Sequence, residues 1–303
     1  LSYSSGLPTG SLGYVTRYEN VGRYLNHGID CQLNVDILRG KDWGVSTNAN
    51  FNYNRDKVLE LFEGRDHWYE PGSQLGYIVG KPVTFMVPLY KGVNPKNGVP
   101  EWYKPGTDIG QTRRDDSDVA TEYTSSLEQN SGVNAYTPVT GGWGISAYWK
   151  GFYVNADFFF ALGKHMLSMD KQRYENDYYI RDRESNFNGS RRIFDYWKKE
   201  GDNAEFPSLE WVRKDNHQST YLDSKMLENA SFMRLKNFTL GYDLPRKALG
   251  RQKVVRSVKL FFTGRNLLTF TKFRGIDPEI NRSISYGVNP NTKQVSFGVE
   301  IGL

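Results

Sequence analysis

The chain has one cysteine, four histidines and no long apolar run. A single thiol, Cys31, excludes an internal disulfide framework and any cysteine-cluster metal site. The histidines, His27, His67, His165 and His217, are scattered with no HExxH pattern, so no metal-ligand spacing is present. No apolar stretch approaches the ~20 residues of a membrane-spanning helix, and the longest, Phe158 to Leu162, is far too short. Phosphate-cradling glycine loops and a nucleophile elbow are also missing, which points to a non-enzyme without cofactor or metal. Charge of one sign is scarce: 39 basic against 34 acidic residues leave +5 over 303 positions, too little to indicate a nucleic-acid partner. Leu1 opens no leader either, since methionine, basic segment and apolar segment are all lacking. The chain is then either cytoplasmic or a mature or truncated piece of something larger.

Aromatic side chains, by contrast, are abundant. The sequence holds 20 Tyr, 17 Phe and 7 Trp beside 30 Gly, a composition that suits strands and turns better than helices. The strongest local signal is alternation. Ile29, Cys31, Leu33, Val35 and Ile37 share one face, with Asp30, Gln32, Asn34 and Asp36 on the other. After a turn at 39–42, Trp43, Val45, Thr47, Ala49, Phe51 and Tyr53 alternate with Gly44, Ser46, Asn48, Asn50 and Asn52. A second hairpin sets Trp143 to Trp149 against Phe152 to Leu162 across Lys150-Gly151. A third pair runs from Phe238 to Leu244 and resumes from Val258 to Phe262. Parity is lost over 231–237, where Arg234 and Lys236 suggest a bulge or a solvent-exposed stretch. The last strand places Val295, Phe297, Val299, Ile301 and Leu303 outward.

Seven strands of about ten residues, apolar on one face and polar but weakly charged on the other, describe an outer-membrane barrel. Trp43, Trp149 and Phe152 beside the short turns fit an aromatic girdle. Alternation alone leaves open a soluble β-sandwich glycan-binding module with one wet face. The connections favour the barrel: the links at 39–42 and 150–151 are short, that at 245–257 moderate, and those at 54–141, 164–230 and 269–292 long. Short turns on one rim and long loops on the other is barrel asymmetry, and loops of such length are unusual in a compact soluble domain. Seven strands leave open edges that lipid does not tolerate, so the chain reads as the last part of a larger barrel, of the plugged, about 22-stranded class.

The segment from Glu228 to Pro245, Glu-Asn-Ala-Ser-Phe-Met-Arg-Leu-Lys-Asn-Phe-Thr-Leu-Gly-Tyr-Asp-Leu-Pro, closely resembles a characteristic stretch of the SusC/RagA family, TonB-linked outer-membrane proteins of the Bacteroidota. The run from Gly264 to Phe273, the Gly275-Ile276-Asp277-Pro278-Glu279 motif, Asn26 to Asp30, Asn54 to Val58 and Gly92 to Gly98 are similar to the family as well. The resemblance runs from about residue 20 to the end, with Leu303 standing where such barrels commonly finish in an aromatic. It implies an all-β fold: residues 1–303 as a C-terminal section of a large transmembrane antiparallel β-barrel with long extracellular loops, lacking the plug domain and TonB box. It further implies nutrient uptake, glycan or oligopeptide, with a SusD-like surface lipoprotein and the TonB-ExbB-ExbD system as partners and outer-membrane lipid as surroundings.

Aromatic faces stack on sugar rings and give contact area at low entropy cost. Trp68, Tyr69, Trp102, Tyr103, Tyr178, Tyr179, Tyr196, Trp197 and Trp211 are therefore the loop candidates for substrate or lipoprotein contact. The inward polar groups Asp30, Asn34, Asp36, Asn48, Asn50, Asn52 and Asp157 are the candidates for a lumen lining. Packing and plain solvation are competing readings for each. Asn94 to Gly98 and Asp277 to Glu279 are too poor in oxygen ligands for a calcium loop. A β-rich glycoside hydrolase would need a carboxylate pair, and no feature selects one. The turn at 245–257 carries Arg246, Lys247, Arg251, Lys253 and Arg256 with no acid, which accounts for the entire +5.

Overall fold

A computed structural model describes residues 2–6, 16–20, 22–70, 72–176, 188–214, 218, 220–250 and 254–303. Its main element is a seven-stranded antiparallel wall. The wall strands are β1 (Gly22–Arg39), β2 (Trp43–Leu61), β3 (Val139–Trp149), β4 (Phe152–Leu162), β5 (Phe232–Asp243), β6 (Ser257–Thr271) and β7 (Gln294–Gly302). They neighbour one another in chain order, with β1 and β7 at the two edges, so the wall is an open section of a curved sheet. These are the seven strands that alternation marks out. A ribbon pairing Ser2–Gly6 with Thr16–Asn20 stands apart from the wall.

Register follows parity. Trp43, Trp149, Phe152, Tyr242, Leu260 and Val299 form one row across β2 to β7 on the apolar face, beside the turns. That face is exposed: Phe297 is 81% and Val299 61% accessible. A soluble sandwich would bury such a face or charge it, and this wall does neither. Among the described residues no helix is long and apolar enough to cross a membrane.

The opposite face repeats small polar residues, as in the row Asp36, Ser46, Ser146, Asn155, Thr239, Thr263 and Ser296. Near the turns a different row appears on this face: Gly44, Tyr148, Tyr153, Gly241, Phe261 and Gly298. Each ring lies over a glycine of the neighbouring strand, where a Cβ would collide with it. Lys150 and Gly151 both have positive φ, as a two-residue hairpin turn requires.

Three local expectations need correction. Ile37 does not continue the apolar parity of β1: the register shifts between Asp36 and Leu38, and Leu38 pairs with Val45 in its place. The 231–237 stretch is a bulge, centred on Lys236, but it is not solvent-exposed throughout, because Arg234 is 4% accessible. Third, 54–141 is not one continuous loop: β2 runs on to Leu61, and a six-stranded sheet follows, made of His67–Glu70, Leu75–Ile78, Thr84–Val93, Pro100–Tyr103, Val119–Ala120 and Glu128–Asn134.

That sheet caps the wall at the end away from the turns and holds the main apolar core. Val58 and Leu61 of β2 pack with Val83, Phe85, Val87 and Leu89 of the cap and with Leu167 and Met226 of the 163–231 connection. A three-stranded sheet of Leu227–Asn229, His165–Ser168 and Ile284–Ser285 then ties that connection to the 272–293 loop. The long connections are thus interlocked by backbone pairing and a shared core.

Candidate functional site

The polar face of the wall and the underside of the cap enclose a cleft of about 640 Å³. Asn26, Asn54 and Thr140 line it from the wall, and Thr137, Asn281, Arg282 and Ser283 from the connections. Tyr24 and Tyr136 meet edge to face at its margin, with ring centroids 6.4 Å apart. Alternation brings these wall residues to one side, since Asn26 and Asn54 share the parity of Asp30 and Asn52.

Two residues of the cleft's lining, Lys164 and Glu279, belong to a cluster of ion pairs and hydrogen bonds behind it. The Arg234 guanidinium donates to Asp277 at 2.6 and 3.3 Å, to Glu279 at 2.5 Å and to Thr269 at 2.9 Å. Lys236 donates to the other oxygen of Glu279 at 2.7 Å. Lys164, at the end of β4, donates to the carbonyls of Pro278 and Ile280 at 2.7 and 2.6 Å. Burial would raise the Asp277 carboxyl, but the Arg234 hydrogen bonds and the backbone N–H groups of Glu279 and Asn291 outweigh it and hold it below its ordinary value. Burial also lowers the Lys164 ammonium, against the pull of Glu279 and Asp277, and lowers the His165 imidazole. These contacts join the two most family-like sequence segments, 228–245 and 275–279. The carboxylates set aside above as poor calcium ligands are anion partners of two buried or half-buried cations. Among the described residues no three His, Cys, Asp or Glu side chains gather as a metal site.

No protein-family model matches the chain. TonB-dependent receptor P3 of Formosa agariphila is 27% identical over 321 residues, covering 95% of this chain and 30% of that protein. TonB-dependent receptor SusC of Bacteroides thetaiotaomicron is 23% identical over 310 residues, covering 98% and 28%. The structure of the RagAB peptide transporter matches with a TM-score of 0.81 at 33% identity, over 95% of this chain and 30% of that one. The RagAB peptide importer in its open-open state matches with a TM-score of 0.82 at 32% identity, over the whole chain and 31% of that one. The chain carries the fold of a TonB-dependent receptor.

The resemblance to SusC and RagA read from the sequence therefore holds, and the chain spans about 30% of the length of the curated relatives it matches. TonB-dependent receptors of this kind are outer-membrane β-barrels, so the exposed apolar face of the wall is its lipid face. A groove on that face is lined by Trp43, Trp149, Phe152 and Leu240. Cys31 is exposed there, opposite Phe51, as a small apolar side chain.

The inward candidates all lie on the wall's polar face. Asn52 donates to Asp30 at 2.5 Å, Asn50 accepts from the Gly142 N–H at 2.8 Å, and Asn34, Asn48 and Asp157 share one row with Gly144 between the last two. Asp36 opens the small-residue row next to it.

The aromatic candidates are dispersed through the cap, and none of those described lines the cleft. Trp102 is 1% accessible, so it cannot present a face to a ligand. Its Nε1–H donates to Asp223 at 2.8 Å, and it meets Tyr90, Tyr123 and Tyr221 edgewise or tilted. Trp68 stacks on Tyr77 against the core. The Tyr69 hydroxyl donates to Gln74 at 2.6 Å, and its phenol is pushed up to about 12 by burial and the nearby Glu128. Tyr103 donates to Asp116 at 3.2 Å, and Trp197 donates to the Pro95 carbonyl at 3.0 Å while covering Gly98. Tyr196 bridges to Phe206 beneath Lys198, and Trp211 is half-buried on the short helix Leu209–Arg213. Tyr178 and Tyr179 lie outside the described residues.

Sequence reasoning missed Lys164, Arg282 and Tyr136. Lys164 and Tyr136 fall just outside β4 and β3, where periodicity has stopped carrying information. Arg282 sits in a loop with no motif of its own.

Proposed function

We propose that residues 1–303 form one section of the barrel domain of a TonB-dependent nutrient importer, in which the wall lines the passage and the cap faces the cell exterior. The observation that carries this is the wall itself, with outward rows exposed and apolar and inward rows small and polar, in a chain that superposes on the RagAB importer with a TM-score of 0.81 to 0.82. Inward Asn, Ser and Thr side chains offer hydrogen bonds without strong charge, a surface that can hold a plug and release it. A SusD-like lipoprotein over the cap, TonB-ExbB-ExbD coupling and a glycan or oligopeptide cargo complete the proposal, supported by the likeness to SusC and to a peptide importer. Catalysis has no part in it, in keeping with relatives that are receptors and transporters.

The cap in this proposal is a built surface. Its core spans the 62–138 and 163–231 connections, so a lipoprotein would meet a fixed platform. The test is uptake by cells producing the full-length protein. Fluorescent oligosaccharides and oligopeptides should accumulate in the periplasm only when both this gene and TonB are intact. Accumulation unchanged in either deletion would refute the proposal.

A further inference from the structure

The cleft is unevenly charged. Lys164 and Arg282 line it together with Glu279, whose carboxylate is held from behind by Arg234 and Lys236, Arg234 also holding Asp277. Arg234 spans both carboxylates and Lys236 adds a second cation to Glu279, so neither acid has charge to spare. Two cations remain outside these pairs, and the other nearby acid, Asp56, lies beside the Tyr24 hydroxyl. Lys164 donates to two backbone carbonyls and sits over the Phe232 ring at 5.8 Å, with no acid in hydrogen-bond contact, and the exposed Arg282 makes no hydrogen bond or ion pair among the described residues. Facing them are neutral hydrogen-bonding groups, Asn54 and Thr140 among them, and the Tyr24–Tyr136 ring pair. A guanidinium with five donors and no partner suits a planar oxyanion, which it binds bidentately.

We infer that this cleft is a ligand subsite for the carboxylate of an acidic oligomer, with Arg282 as the residue that reads the charge and Lys164 supporting it. The inference rests on the importer reading above and adds a chemical class to its cargo. A cleft closed by paired charges alone would have no reason to leave Arg282 without an acid among the described residues. The Tyr24 and Tyr136 rings and the wall amides can hold the neutral part of either a uronate chain or a peptide, so the carboxylate is the shared feature.

The experiment measures binding to the purified full-length protein by calorimetry, with matched pairs of probes. One pair is pentagalacturonate and its methyl ester; the other is the N-acetylated, C-terminally amidated peptide Ala-Glu-Ala-Glu-Ala and its Gln counterpart. At least one acidic member should bind about tenfold or more tightly than its neutral partner, the discrimination one charge-assisted hydrogen bond supports. Whichever pair shows the preference identifies the source of the carboxylate. In Arg282→Gln the preference should fall below about threefold, while Arg282→Lys, which keeps the charge but not the bidentate fork, should retain only part of it. Since Arg282 makes no hydrogen bond or ion pair among the described residues, neither variant removes a described structural bond. Equal binding of acid and neutral forms, no binding of either pair, or a preference that survives Arg282→Gln would each overturn the inference. None of these results touches the importer reading, whose own failure appears as TonB-independent uptake.

Discussion

Replacing Arg234 by methionine keeps the length of the side chain and removes the cation that holds the 272–293 loop against the wall. In the folded protein Asp277 has 3% of its side chain exposed and Glu279 19%, and both depend on the Arg234 guanidinium. Breaking a buried ion pair from one side costs roughly 3–5 kcal/mol, because the remaining charge is left desolvated. Here Asp277 keeps the N–H groups of Glu279 and Asn291, and Glu279 keeps Lys236, so the loss should lie near ~3 kcal/mol. At 1.4 kcal/mol per tenfold, this raises local opening of the loop by about a hundredfold. Trypsin added to intact cells would read it as faster cleavage after Arg274, Arg282 and Lys293, with unchanged amounts of protein in the membrane. Adding Asp277→Asn and Glu279→Gln to the methionine variant should restore much of the protection, since no buried charge is then stranded. Unchanged cleavage in Arg234→Met, or a triple variant cleaved as fast as the single one, would refute this account. The pH dependence has a definite sign. Asp277 is held below its ordinary value, so its contribution is complete above the unfolded carboxylate range of ~4 and is lost as pH falls through the lower folded value. Protection of the loop in the unaltered protein should therefore be flat from neutral pH to about 5 and decline only in stronger acid.

Phe158, in the middle of β4 and stacked on Trp143 at 5.3 Å, faces lipid; Phe158→Arg should cost roughly 2–4 kcal/mol and cut surface levels, whereas Asn155→Arg on the lumen face of the same strand should assemble normally. Equal surface labelling of the two would reverse the assignment of faces. Gly241→Val places a side chain inside the Tyr153 ring and should destabilise the barrel by ~1–3 kcal/mol in urea unfolding, with Tyr153→Ala in the same chain recovering part of the loss. Trp102→Phe keeps the ring packing but removes the Nε1–H donor to buried Asp223, which should cost ~1–3 kcal/mol, measured as a lower unfolding midpoint of the cap.

The wall was legible in the sequence because a strand with two different solvents on its faces must alternate strictly, and β3, β4 and β7 do so almost without error. Bulges were legible only in part. The loss of parity at Arg234 and Lys236 announced one, but the shift at Ile37 is invisible because Ile37 and Leu38 are both apolar. The cap was hidden for a physical reason. Its strands are short and sit in a core closed by three distant connections, so burial there is set by tertiary contact. Trp102 shows the consequence, a tryptophan chosen for contact that lies at the centre of an aromatic cluster. The cleft is a similar case: Lys164 and Glu279 lie far apart in sequence, and only the 163–231 and 272–293 connections folding together bring them to one place.

The rings set over glycines near the turns bear on how the wall assembles. Strands that alternate in twos can slide past each other by two residues without exposing the wrong face to lipid. Here such a slip would press Tyr148 onto Ser46 instead of Gly44, or Tyr153 onto Thr239 instead of Gly241. Phe261 would likewise meet Ser296 in place of Gly298. The three contacts act as detents along one rim, each admitting a single alignment of its strand pair. An insertion machinery that adds strands one hairpin at a time would thus find every junction proofread at the rim that carries the tight turns, before the long connections on the far side have closed.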